Sequence, residues 1–256
     1  MNPIERISGA EAVSMHDDWF EIADARHFWM IWRWKSIFRS KKLLPLAGKR
    51  LLEIGCGNGI AVDQFEGQTA CVVDGCDLNE KALQLAGPSK GRKLLYNIFD
   101  LNPALLRQYD GIILLDVLEH IEDPVIFLNT AARYSKENGL VIINVPAYQW
   151  LYSDYDKAVG HLRRYSSSEM RKLMNAAGIE PVKIYYWGAL LIPVAMIRKI
   201  LIAGRGEDII KAGFKPPGKI AEAFLKFLMH VESALPFTLP FGTSLIAIGK
   251  VKKQKA

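Results

Sequence analysis

Four carboxylates and a run of glycines carry the first chemical signal. Glu53-Ile54-Gly55-Cys56-Gly57-Asn58-Gly59 closes one apolar stretch, and Asp77, Asp100 and Asp116 each stand at the end of a later one. Glycines at such a turn let the backbone approach a ligand with no Cβ in the way. The amides that open the following helix then face that ligand. Asp77 lies 22 residues beyond Gly55, where a carboxylate can accept both hydroxyls of a ribose. Asp100 could accept from the exocyclic amine of an adenine, and Asp116 borders the same crevice. The glycine spacing is GxGxG rather than the GxGxxG usual in dinucleotide sites. Taken singly, each acid is as readily a helix cap or a solvated loop residue; together they outline a pocket for an adenosyl group.

A second group could act on whatever sits beside that pocket. His120, in Asp116-Val-Leu-Glu119-His120, and His161, in the segment GHLRRY, are candidates for proton transfer. The alternatives are a loop-closing histidine and a structural one. Arg163 and Arg164 could clamp a carboxylate or phosphate by forked hydrogen bonds, or be plain surface charges. Tyr148, Trp150, Tyr152 and Tyr165 could wall an apolar or sugar-bearing substrate, or pack their own loop. Asp116, Glu119 and His120 could gather a divalent metal. No further ligand stands out in the sequence, so none is expected.

The elements that must position these residues follow from periodicity. Apolar runs at 49–55, 70–77, 93–99, 111–117, 139–145, 182–187 and 241–251 read as strands, with helical patterns between them. Strands alternating with helices give parallel β-α-β units. Their nearly continuous apolar character fits strands buried on both faces. The expectation is an α/β, Rossmann-like, doubly wound, mostly parallel seven-stranded sheet. Residues 16–44 look helical, within an N-terminal lid segment at 1–48. The core spans 49–187 and 241–251, and a helical insertion at 188–240 precedes the last strand. Ser166 and Glu169 have capping-box spacing, which places a helix after the long loop at 147–165.

The chain has 256 residues, 50% hydrophobic and 23% charged, which excludes a disordered chain or a disulfide-stapled miniprotein. Three cysteines with no CxxC motif suit a reducing compartment. The first residues lack the apolar centre of a secretory signal. The longest uncharged stretch in the C-terminal part, Ile184 to Ile197, is 14 residues, against the roughly 20 that a bilayer span needs. The cytoplasm is therefore the expected location. Residues 197–256 hold 11 Lys/Arg against 4 Asp/Glu, whereas residues 1–196 hold 22 against 23. All of the basic excess lies in the last quarter. Such asymmetry can mark an anionic surface as partner, or only a solvated helical face and a lysine-rich tail.

The segments LLEIGCGNG (51–59), VVDGCDLNEKAL (72–83), NIFDL (97–101) and YDGIILLDVLEHIEDP (109–124) together resemble the class I methyltransferases that use S-adenosylmethionine. The resemblance implies that Glu53, Gly55, Cys56 and Gly57 hold the methionine part and ribose. It implies further that Asp77 binds the ribose hydroxyls, Leu78 packs on adenine, and Asp100 with Leu101 meets the adenine edge, with Asp116 alongside. S-adenosylhomocysteine would be the product. Related quinone O-methyltransferases carry a similar acid-and-histidine stretch. Over nearly the whole chain the sequence is similar to bacterial methyltransferases of types 11, 12 and 23. That likeness rests on HFWMIWRWKSIF, on VPAYQWLYSDYDKAVGHLRRYSSSEM (145–170) and on LPFGTSLIAIGK (239–250). HFW replaces the group's more usual tandem-tryptophan pattern.

Members of that group often accompany glycan or lipid biosynthesis, so the expected acceptor is a small molecule or a lipid- or glycan-linked one, through oxygen. His27, Trp29, Tyr148, Trp150, Arg163, Arg164 and Tyr165 are the candidate substrate contacts, and His27, Trp29, Trp32 and Arg33 would share one helical face. The stretches at 189–235 could lie on a membrane surface, form a small cap, or make a homodimer contact. A nucleic-acid methyltransferase is the alternative enzyme. It lacks support, because no Asn/Asp-Pro-Pro-Tyr/Phe motif follows the fourth strand and no nucleic-acid partner is expected. A non-catalytic cofactor-binding module is the alternative outside catalysis.

Overall fold

The computed structural model describes residues 2–10, 24–202 and 218–253. Its strands are β1 (Ile4–Arg6), β2 (Arg50–Ile54), β3 (Val72–Asp77), β4 (Lys93–Leu95), β5 (Tyr109–Leu115), β6 (Ser135–Pro146), β7 (Ile179–Trp187) and β8 (Ser244–Val251). Its helices are α1 (Phe28–Phe38), α2 (Ile60–Thr69), α3 (Glu80–Leu85), α4 (Pro124–Ala132), α5 (Asp154–Ala158), α6 (Ser167–Ala176), α7 (Ile192–Ile202) and α8 (Gly218–Ala234). The strands form one sheet in the order β1-β4-β3-β2-β5-β6-β8-β7. All pairings are parallel except those of β8, which runs antiparallel to both β6 and β7.

This is the Rossmann-like, mostly parallel arrangement expected, with eight strands instead of seven. The additional strand pairs Ile4–Arg6 with Lys93–Leu95 at the sheet edge. Three residues with the pattern Ile-Glu-Arg give no periodicity to read, so the strand is invisible in the sequence. Helix α1 spans Phe28–Phe38, with His27 as its cap; of the helical stretch expected at 16–44, residues 24–27 form a turn and 41–43 a 3-10 turn, while 16–23 lie outside the described residues. The strand expected over 93–99 ends at Leu95, because Asn97 caps a short 3-10 turn over Ile98–Asp100. Ser166 and Glu169 do form the reciprocal capping box that opens α6.

Two apolar layers cover the sheet. One face packs against residues such as Phe127, Leu128, Met170 and Met174 from α4 and α6. The other packs against Trp32, Trp34 and Ile37 of α1 and Phe65 of α2. Trp34 meets Phe65 edge-on at 5.0 Å. Helix α1 thus lies on the sheet beside the ends of the central strands. Glu232 of α8 accepts from the amides of Gly188 and Leu190, and Arg39 donates to the carbonyls of Glu232, Leu235 and Phe237. These bonds root the inserted helix at the carboxyl end of β7. Among the described residues no helix is long and apolar enough to cross a membrane.

Candidate active site

The glycine turn leaves β2 and enters α2 through three left-handed residues, Gly55 (φ +74°), Gly57 (φ +54°) and Gly59 (φ +78°). A Cβ on Gly55 would come within 2.6 Å of Val117 Cγ2, so the turn is both conformationally and sterically reserved for glycine. The Gly55 and Cys56 amides donate to the carbonyl of Cys76 on β3. The Gly57 amide donates to Asp77 Oδ2 at 2.7 Å, and the Asn79 amide to Oδ1 at 2.9 Å. Asp77 is therefore fixed at the strand end by two backbone donors, with its carboxyl pushed up by burial and pulled back by those donors.

Glu53 lies under the turn. Its Oε2 is buried with no hydrogen-bond partner. Burial raises its carboxyl to about 8; Arg33 opposes that rise, while Asp77 and Asp116 reinforce it. A buried acceptor without a donor costs free energy, and a cationic group arriving beside it would relieve that cost. The observation fits the ammonium end of an S-adenosylmethionine. Cys56 sits in the same turn, buried, and its thiol is raised well above its usual range by burial. Leu78 is half-buried next to Asp77. Asp100 is exposed on its 3-10 turn and accepts from the Ser8 hydroxyl. Leu101 follows with φ +49°. The strand ends thus bring most of the expected cofactor set around one crevice, with Asp100 at its rim.

Asp116 closes β5 in a left-handed conformation, φ +60°, a region that aspartate tolerates better than most residues. Three groups hold it there. Arg33 of α1 donates to Oδ2 at 2.7 Å, Asn144 of β6 donates to Oδ1 at 2.7 Å, and the Asp116 amide donates to the Asn144 carbonyl. Trp187 Nε1 in turn donates to Asn144 Oδ1, and Trp29 stacks under the Arg33 guanidinium, 5.1 Å from its ring centroid. The sequence shows Arg33 only as a member of a helical face and does not single out Asn144 or Trp187. A lone arginine in the apolar run HFWMIWRWKSIF is the signal that could have marked it.

Beyond β5 the two histidines converge. His120 and His161 pack edge-on with centroids 4.9 Å apart. His161 Nδ1 lies 2.9 Å from Asp156 Oδ1, and its Nε2 lies 3.9 Å from Glu119 Oε1. His120 Nδ1 faces the Gly160 carbonyl at 3.2 Å. Burial, with His161 adding to it, lowers His120 to about 4 and keeps it neutral near pH 7. Glu119 is fully buried, neither of its carboxylate oxygens has a hydrogen-bond partner, and its carboxyl is driven up by burial and by Asp116. One ligand atom each from Glu119, His120 and His161 fall within 4.8 Å of one another. The trio is geometrically able to take a divalent cation, a grouping that the sequence hides because His161 comes from another loop.

Asp156 organises the loop that carries His161. It accepts from the Ser153 amide and hydroxyl and from two nitrogens of Arg164. His161 and Arg164 together hold its carboxyl below the usual range despite burial. The spacing Ser153-x-x-Asp156 was a legible capping signal; the tie to His161 was not. Arg164 is thus engaged with Asp156 inside the protein, and also reaches the Ala147 carbonyl. Arg163 donates to the Glu122 carbonyl. Tyr165 is buried, its hydroxyl on the Leu118 carbonyl, and Tyr152 donates to the His161 carbonyl. Tyr148 stacks on Tyr186 at 4.9 Å, while Trp150 is half-exposed. His27 caps α1, and Trp29 packs on Trp187 at 5.6 Å.

Fold and sequence together place the chain in a methyltransferase family built on a Rossmann-like sheet. Residues 32–184 match the type 23 family model, described as a methyltransferase domain, and the chain belongs to that family. It is 35% identical over 106 residues to the ubiquinone biosynthesis O-methyltransferase of Thiobacillus denitrificans, a match covering 39% of this chain and 45% of that protein. The chain thus spans less than half the length of that relative. Among solved structures, a chain in the complex with the Haloferax volcanii Trm112 methyltransferase activator superposes with a TM-score of 0.61 at 16% identity, covering 92% of this chain and 95% of that one. Phosphoethanolamine N-methyltransferase 2 of Haemonchus contortus, bound to S-adenosyl-L-methionine, gives 0.54 at 15% identity, covering 92% and 59%.

Proposed function

We propose that the protein methylates an oxygen of a small-molecule or lipid- or glycan-linked acceptor, with His161 as proton acceptor and Glu53, Gly55, Cys56, Gly57, Asp77, Leu78, Asp100, Leu101 and Asp116 forming the cofactor crevice. The observation that carries the reading is the Asp156–His161 pair at the carboxyl end of the sheet. S-adenosylmethionine, when bound, supplies an activated methyl group whose transfer is a direct displacement. The chain's own work is to hold the acceptor in line and take its proton.

A hydroxyl acceptor must lose a proton as the new bond forms, and a positioned imidazole adds roughly 10²–10⁴-fold to such a step. With Nδ1–H donated to Asp156, Nε2, which lies 3.9 Å from Glu119 Oε1, is the nitrogen left to take a proton. Asp77 would receive the two ribose hydroxyls of the cofactor and Glu53 its ammonium, with the glycine turn between them. Helix α1, pinned by Arg33, excludes water from one side. The curated relative's O-methyltransferase name supports oxygen as acceptor atom. A panel of catechol, phenol, sugar and lipid-linked hydroxyl compounds, assayed for S-adenosylhomocysteine release, tests the reading. Turnover confined to amines or to nucleic acid would reject it.

A second reading is favoured by the two unpartnered oxygens of Glu119. A divalent cation held by Glu119, His120 and His161 would polarise the acceptor oxygen in place of a base. Activity abolished by a chelator and restored by the cation would select this reading over the first.

A further inference from the structure

Helix α8 is amphipathic in an unusual sense: both of its long faces are apolar. Leu225 and Met229 are buried against α1 and the sheet. Ile220, Phe224, Phe227 and Val231, spaced four, three and four residues apart, form a second stripe that faces outward. Ile220 is 89% exposed and Phe227 62%. Helix α7 adds Ile197 and Ile200, the latter 76% exposed. Both helices pack on the 3-10 turn over Ala189–Leu191, directly after β7. That turn adjoins Trp187, whose indole holds Asn144 and through it Asp116. The outward apolar stripes therefore belong to helices anchored on the turn that follows Trp187. They also lie outside the residues 32–184 that match the family model.

An apolar surface this exposed is an interaction site, and the charge around it selects the partner. Lys219, Lys226, which pairs with Glu222, and Lys199, which donates to the Trp150 carbonyl, lie on the same two helices as the stripes, within the quarter of the sequence that holds 11 basic against 4 acidic residues. A second copy seated here would bring two such basic quarters together, which like-charge repulsion opposes. An anionic bilayer meets both properties. Its acyl boundary takes the stripe and its headgroups take the lysines.

We propose that α7 and α8 dock the protein on an anionic lipid surface and present the site to an acceptor anchored in that surface. The docking deepens the lipid-linked acceptor reading given above and rests on it for its purpose, but the surface itself is tested separately. The 256-residue protein is spun with vesicles of phosphatidylcholine alone and with vesicles of phosphatidylcholine and phosphatidylglycerol in equal amounts. The protein should sediment with the mixed vesicles, and less so as salt is raised. The Phe224→Ser/Phe227→Ser variant should lose roughly tenfold or more in vesicle affinity, while its affinity for S-adenosylhomocysteine stays that of the wild type. Wild-type protein that remains in the supernatant with both vesicles overturns the proposal. So does a variant that sediments like the wild type, or a wild-type dimer that the same substitutions dissociate. Docking without methylation of any lipid-linked acceptor would leave the surface standing and reject the acceptor reading.

Discussion

Arg33 and Asp116, 83 residues apart, meet in a 2.7 Å ion pair that fastens helix α1 to the end of the central strand β5. Both side chains are largely shielded, at 7% and 21% exposure. Removing one partner of a buried pair leaves the other charge without compensation, which costs about 3–5 kcal/mol. Arg33→Ala should lower stability by that order in a denaturant titration. The double variant Arg33→Met/Asp116→Asn should recover part of the loss, because asparagine keeps the left-handed backbone at low cost and no charge is stranded. A loss in Arg33→Ala under ~1 kcal/mol, typical of a surface pair, would show that the contact does not tether the helix.

Asp77 is the anchor of the glycine turn as well as the proposed ribose ligand. Asp77→Ala removes the acceptor of the Gly57 and Asn79 amides together with two hydroxyl contacts. Two hydrogen bonds to a charged group are worth about 3 kcal/mol together, so affinity for S-adenosylhomocysteine should fall at least tenfold by isothermal titration. Unchanged affinity would remove Asp77 from the cofactor site.

The strands and the glycine turn were legible because buried parallel strands are written as continuous apolar runs, with Glu53 inside the first of them and Asp77 and Asp116 at the ends of later ones. Glu53, Asp77 and Asp116 needed only local sequence to place. Asp156 and Arg164 did not follow this logic. Their side chains meet His161 through the folding of one irregular loop, where no period links sequence to geometry. Arg164 read as a substrate clamp from its type alone, and the structure places it against Asp156. Likewise β1, three residues long, exists only through its pairing with β4.

Glu53 gives the cofactor site a pH dependence whose sign can be stated. Its carboxyl titrates near 8 in the folded protein and in the ordinary carboxylate range when unfolded. Between those limits the folded state holds a proton that the unfolded state has released, so stability falls as pH rises from about 5 to 8, by up to about 1.4 kcal/mol per pH unit. Glu53→Gln should flatten that slope in thermal melts of the cofactor-free protein. An ammonium bound beside Glu53 favours its ionised form, so binding should release a proton, and affinity should climb toward pH 8. Calorimetry in two buffers of different ionisation enthalpy measures that proton directly. Identical heats in both buffers would mean that Glu53 does not meet the cationic end of the cofactor.

His161 and His120 share a contact yet should separate cleanly in kinetics. Burial holds His120 neutral down to about pH 4, so it does not titrate across the range where the enzyme would be assayed. His161 lies against the Asp156 carboxylate, which stays ionised and retains Arg164 and Ser153 if the imidazole is removed. His161→Ala should therefore fold normally and keep its affinity for S-adenosylhomocysteine. Its turnover should drop by roughly 10²–10⁴-fold, the share of a general base. His120→Ala should lose far less turnover, because His161 keeps its Asp156 partner in that variant. Should His161→Ala retain wild-type turnover, the proton must leave by another route, and both the base reading and the cation reading, each of which uses His161, would fall.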